Sequence, residues 1–222
     1  FNFCSTEPKS YCYCISRYAI LQKPPKNSNG EVATFNKSDR REKESTIMHV
    51  SSATAPGSAH INPGRPGKMN NQDAVAVVTV PKKEIIIAVL CDGCGSEPAS
   101  EVGANIGAHL IAREIKNSLL AANDPSIRTI DWGRFSNAFS LLLKDAIALF
   151  VKDKGVAAFE EEAQRHFLFT ALILIVVKNQ AIIVSFGDGV VMIDDEVIKL
   201  EPPIKNTPPY CSYTLFTATG YH

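Results

Sequence analysis

The sequence predicts an α+β fold, and three observations carry that prediction. Two short Val- and Ile-rich runs flank the polar break Pro81-Lys82-Lys83. Two long stretches with helical apolar spacing follow. Further strand-like runs come after those. Strands grouped with strands, and helices with helices, argue for helices packed on antiparallel sheet.

Ala74–Val80 and Glu84–Leu90 have the length and β-branched content of strands, so the break between them reads as a hairpin turn. Asp73 and Asp92 are equidistant from the centre of that turn. In an antiparallel pair they face each other across the strand ends, with Cα atoms roughly 5 Å apart. Gly93-Cys94-Gly95-Ser96 then makes a tight glycine loop. A helix opens after it, with Pro98 in the first turn and Glu97 and Glu101 placed to complement the helix dipole. Val102, Ile106, Leu110, Ile111, Ile115 and Leu119 form its apolar stripe, and Asn123-Asp124-Pro125 ends it. A second helix spans Trp132 to Val151, with Asp131 as N-cap and Phe135, Phe139, Leu142, Ala146, Leu149 and Phe150 as its stripe. Residues 156–166 form a third short helix with Glu160–Glu162 on a solvated face. Phe167–Val177, Ala181–Phe186, Val190–Ile193 and Glu196–Leu200 read as strands, separated by turns at Lys178-Asn179-Gln180, Gly187-Asp188-Gly189 and Asp194-Asp195.

Composition narrows the function classes. The chain has 222 residues, 45% of them apolar and 21% charged, enough for one sizeable core. Lys plus Arg equals Asp plus Glu at 23 each, so the basic excess of a nucleic-acid or anionic-membrane binder is missing. The longest strongly apolar run, Phe167–Val177, has eleven residues, against about 20 for a membrane-spanning helix. These features predict no nucleic-acid partner and no membrane partner. Six cysteines are too few for a disulfide scaffold of this size, and the expected compartment is the reducing cytoplasm.

The first 47 residues differ from the rest. Between Lys23 and Thr46 only Val32, Ala33 and Phe35 are apolar, and the segment carries a net charge of +3 against −3 for residues 48–222. Such a composition buries too little surface to offset its ordering entropy. The chain begins at Phe1 and its first methionine is Met48. Residues 1–47 are therefore expected to be a disordered leader or upstream sequence translated in frame, with the domain at 48–222. Cys12-Tyr13-Cys14 lacks a second His or Cys pair at zinc-site spacing.

Two carboxylates brought to one place repel unless a cation lies between them or one takes a proton. With a glycine-loop carbonyl, Asp73 and Asp92 would offer all-oxygen ligands suited to Mg²⁺ or Mn²⁺. Taken alone, the two residues read equally as turn caps. Cys91-Asp92-Gly93-Cys94 also has the Cys-x-x-Cys spacing of thiol oxidoreductases, but the intervening Asp disfavours a thiolate.

The surrounding residues add a resemblance. Gly57-Ser58-Ala59-His60, Gly67-Lys68-Met69-Asn70-Asn71-Gln72-Asp73-Ala74, Cys91-Asp92-Gly93-Cys94-Gly95-Ser96 and Ser100-Glu101-Val102-Gly103-Ala104 occur in that order. Thr170 in an apolar strand and the turn Ser185-Phe186-Gly187-Asp188-Gly189 follow. Together, over roughly His60–Tyr213, they resemble the metal-dependent protein phosphatases of type 2C, especially the bacterial branch. The resemblance implies an antiparallel β-sandwich flanked by helix layers (α-β-β-α). It implies hydrolysis of phosphoserine and phosphothreonine in proteins at a site holding two Mn²⁺ or Mg²⁺ ions. Asp73, Asp92 and the Gly93 carbonyl would be metal ligands, and Thr170 and Asp188 would shape the strand and turn beneath them. The partners implied are a phosphorylated protein substrate and a kinase of the same signalling system.

The sequence also departs from the family pattern. The family's phosphate-holding Arg is replaced by Lys68, with Arg65 three residues upstream; each is either a phosphate ligand or a solvated loop cation. Cys94 stands where some eukaryotic members have a His. His60 is the candidate for protonating the leaving group, or else a structural His near a turn. The family's later metal-binding Asp residues have no counterpart, because no carboxylate side chain follows Glu201. The expectation is a C-terminally truncated phosphatase. The alternative is a catalytically dead phosphatase-like domain that binds phosphorylated partners.

Overall fold

The structure is a computed structural model, and it describes residues 18–21, 50–55, 71–151, 156–193, 196–200, 209–213 and 215. The fold is α+β. Strand β1 is Tyr18–Leu21, β2 is Asp73–Val80 and β3 is Ile85–Gly93. Helices α1 (Ser100–Ala121), α2 (Trp132–Val151) and α3 (Val156–Phe167) follow. Strands β4 (Phe169–Val177), β5 (Gln180–Phe186), β6 (Gly189–Ile193) and β7 (Glu196–Leu200) complete the order. Five strands form one antiparallel sheet in the order β1-β5-β4-β3-β2, and β6 pairs with β7 as a two-stranded ribbon. Four residues of the 1–47 segment are thus an edge strand, paired with β5.

Alternation along the strands divides the five-stranded sheet into two faces. Ala74, Ala76, Ile87, Val89, Cys91, Ala171, Ile173, Ile175, Ile182 and Val184 are buried on one face. Helix α1 lies on that face, and α2 and α3 pack against α1 and each other. The other face carries Val77, Leu90 and Leu174, which are 36%, 43% and 36% exposed. Of the expected α-β-β-α sandwich, the described residues supply a helix layer, the five-stranded sheet and the β6–β7 ribbon.

Helix α1 buries a different seam from the one its large apolar residues suggest. Gly103, Ala104, Gly107, Ala108, Ile111, Ala112, Ile115 and Leu119 are buried, with Val102, Ile106 and Leu110 only flanking them. Small residues let the helix approach closely: a Cβ on Gly107 would lie 2.3 Å from the Phe169 ring. On α2 the buried seam is Phe135, Phe139, Leu143 and Ile147, and Leu149 is 72% exposed. Asp131 does cap α2, its Oδ1 accepting the Arg134 N–H at 2.9 Å.

Several boundaries shift from the sequence expectation: β3 runs on to Gly93, and β2, β5 and β6 each start one residue earlier, at Asp73, Gln180 and Gly189. Glu84 is not a strand residue: at φ 52 it closes a 3₁₀ turn over Pro81–Lys83, its N–H bonding Pro81 O at 3.1 Å. Pro98 precedes α1, because the segment after Gly93 is held as a loop by the bonds described below. Phe167 ends α3, so β4 starts at Phe169.

Candidate active site

The hairpin fixes the centre of the site. The 3₁₀ turn sets the β2–β3 register so that Asp73 pairs with Asp92, and the β3–β4 register places Thr170 opposite Asp92. Cross-strand partners project to the same face. Asp73, Asp92 and Thr170 therefore form one row at the end of the sheet, on the face away from the helices. Asp73 is half-buried, Asp92 exposed and Thr170 buried.

The two carboxyls perturb each other. Partial desolvation, the charge of Asp73, a hydrogen bond between the two carboxyls and the charge of Asp188 push the Asp92 pKa up to about 6. Asp188 comes near through the turn after β5. Gly187 there has φ +112 and packs on Thr170, so a Cβ would sit 2.5 Å from Thr170 Cγ2. Ser185 Oγ donates to Gly187 O at 3.0 Å and fixes the turn. Thr170 thus seats the turn that carries Asp188.

Gly93 is the other fixed element. Its N–H bonds Gln72 O at 3.2 Å, and a Cβ would meet that oxygen at 2.6 Å and Ser100 Oγ at 2.8 Å. Only glycine fits without displacement. The following N–H, of Cys94, bonds Leu168 O at 2.9 Å. That N–H and the Gly93 carbonyl share one trans peptide, so the carbonyl points the opposite way, to the β2 side where Asp73 begins. The loop beyond is tied down by Ser100 Oγ to Cys94 O (3.0 Å), Glu97 N to Cys94 O (3.0 Å) and Gln72 Nε2 to Glu97 O (2.7 Å).

Some of these residues escape sequence reasoning. Gln72 lies within the quoted Asn-Gln-Asp element, but only the fold shows its amide bracing the loop. Ser100 is, from sequence, only part of the Ser-Glu-Val-Gly-Ala element, and in the fold it anchors the loop through Cys94 O. Tyr210 donates its hydroxyl to Cys94 Sγ at 3.2 Å across 116 positions, and no local pattern marks it. His60, Arg65 and Lys68 lie outside the described residues, as do Asp194 and Asp195. The Cys-x-x-Cys reading gains nothing: Cys91 faces the helices, fully buried, and burial pushes its thiol well above the usual range. Cys91 and Cys94 are both free thiols.

A family model described as protein phosphatase 2C matches residues 56–219. The chain belongs to the protein phosphatase 2C family. None of the curated proteins matches it in sequence. This phosphatase domain includes the whole Asp73–Asp92–Thr170–Asp188 constellation and the loop after Gly93.

The donors fit part of a divalent-cation site. Among the described residues, no Lys or Arg side chain pairs with Asp73 or Asp92. Partial desolvation first, and then the charges of Asp73 and Asp188, raise the Asp92 pKa. Two carboxylates and an oriented carbonyl are hard oxygen donors. No group of three or more His, Cys, Asp or Glu side chains able to hold a metal is found among the described residues. No helix among the described residues is long and apolar enough to cross a membrane.

Proposed function

We propose that this chain carries the catalytic face of a divalent-metal-dependent phosphatase acting on phosphoserine and phosphothreonine in proteins. The observation that carries the reading is the Asp73–Asp92 pair, set face to face by strand register in a chain of the phosphatase 2C family. Asp73, Asp92 and the Gly93 carbonyl would hold the metal, two Mn²⁺ or Mg²⁺ ions in the full site. When bound, the metal lowers the pKa of a coordinated water and neutralises phosphoryl oxygens. The rigid loop keeps the carbonyl aimed at the carboxylate side before any ligand arrives, which lowers the ordering cost of binding.

Other residues take roles from the family likeness. Lys68, with Arg65 beside it, would attract the substrate phosphate as a point charge without the bidentate fork of an Arg. His60 would donate a proton to the departing serine or threonine oxygen. Thr170 and Asp188 keep the turn beneath the carboxylates in place. The proposed setting is cytoplasmic signalling, opposing a protein kinase.

The test is hydrolysis of phosphoserine, phosphothreonine and phosphotyrosine peptides by the full chain with Mn²⁺ and with EDTA. The reading expects Mn²⁺-dependent phosphate release from the first two, lowered at least about 100-fold in Asp92→Asn. Phosphopeptide binding without turnover, unaffected by EDTA, would overturn it in favour of a phosphate-recognising domain.

A further inference from the structure

We propose that Tyr210 is a positioning residue for the candidate metal centre, a latch that holds the loop after Gly93 from a distant part of the chain. The inference rests on the metal-site reading above and extends it to a residue outside the motif elements.

The latch has a firm base. Cys211, Ser212 and Leu215 are buried. Cys211 N–H bonds Phe169 O at 2.9 Å, on the first residue of β4. The last β4–β5 pair is Ala171 with Phe186, so this segment takes over the β4 edge where β5 has turned away. The Tyr213 ring packs edge-on against Tyr210, with centroids 5.4 Å apart at 82°. From this base the Tyr210 hydroxyl reaches Cys94 Sγ at 3.2 Å, while Ser96 Oγ meets the same sulfur at 3.1 Å.

Cys94 is the residue through which the latch acts. Its N–H belongs to the peptide whose carbonyl is that of Gly93, and its own carbonyl accepts from Ser100 and Glu97. Holding its side chain therefore restrains rotation of the peptide that aims the Gly93 oxygen. Partial burial, together with the nearby Cys94, pushes the Tyr210 hydroxyl above its ordinary pKa, so it remains a donor across the working pH range. A partner that contacts a metal ligand directly is typically worth 10–100-fold in affinity. A latch acting through Cys94 should be worth less, about 3–10-fold.

The experiment measures Mn²⁺ affinity by the EPR signal of the free aquo ion, using the full chain. Its variants are Tyr210→Phe, Cys94→Ala, their double, Cys94→Ser and Asp92→Asn. Tyr210→Phe and Cys94→Ala should each weaken Mn²⁺ about 3–10-fold at unchanged Tm. The double should be no weaker than Cys94→Ala alone, since that variant already removes the Tyr210 contact together with the Ser96 one. Cys94→Ser should retain affinity, because its hydroxyl can accept the same hydrogen bond. In the metal-free protein, Tyr210→Phe should speed amide deuterium exchange in residues 93–97 and leave 85–91 unchanged.

Wild-type affinity in Tyr210→Phe, or additive losses in the double, overturns the latch while leaving the metal site standing. A wild-type protein that takes up no Mn²⁺, or takes it up equally well as Asp92→Asn, overturns the metal-site reading and the latch's role with it. Unchanged exchange over 93–97 overturns the contact itself.

Discussion

Asp92 holds a charge that the metal-free protein disfavours. Its pKa is raised from 3.8 to about 6, chiefly by desolvation and by Asp73. The native state therefore binds this proton more readily than the unfolded state does. Linkage sets the sign: this group's contribution to stability is fullest at low pH and falls as pH rises from about 4 to about 6. Asp124 runs the opposite way. Its ion pair with Lys178 lowers its pKa, so its contribution is present at neutral pH and fades on acidification. Comparing wild type with Asp92→Asn isolates the first effect. Above pH 6 the metal-free variant should be more stable, by on the order of 1 kcal/mol after screening of a partly exposed group. Below pH 4 the difference should vanish. Denaturant unfolding at several pH values measures it, and an Asp92→Asn variant less stable at pH 7 would count against the repulsion.

At the scale of elements, the two faces of β3 make a sharp contrast. Ile87 is fully buried against the helix layer and Leu90 is 43% exposed on the other face. Ile87→Ala should cost about 3 kcal/mol and Leu90→Ala about 1 or less, read from unfolding midpoints. Strand alternation and a short turn are local, so the β2–β3 register and the meeting of Asp73 with Asp92 could be read from sequence. The Asp131 cap was legible for the same reason. The α1 seam was not, because a reading by large apolar residues passes over Gly103, Ala104, Gly107 and Ala108, which are buried since they are small. Cys94 invited a redox reading through Cys91, three positions upstream. Its actual partner Tyr210 is 116 positions away, and nothing in local spacing encodes that contact.

For the molecule as a whole, the sheet brings chemistry to one end and packing to one face. Helix α1 and its neighbours cover the inner face. Asp73, Asp92 and the Asp188 turn gather at the rim of the other. Loop 94–99 and the segment around Tyr210 clasp the same end, so the Gly93 carbonyl, a proposed metal ligand, is held by parts of the chain that only the fold unites. We propose that the facing pair Asp73–Asp92 is there to hold a divalent cation. The measurement that tests it most directly is the Tm of the full chain as Mn²⁺ is titrated, for wild type, Asp73→Asn and Asp92→Asn. A cation that binds only the native state raises Tm in proportion to its binding free energy. Wild type should shift upward and saturate, Asp92→Asn should start higher without metal and barely move, and Asp73→Asn should shift less than wild type. No shift in wild type, or an equal shift in all three, would contradict the account.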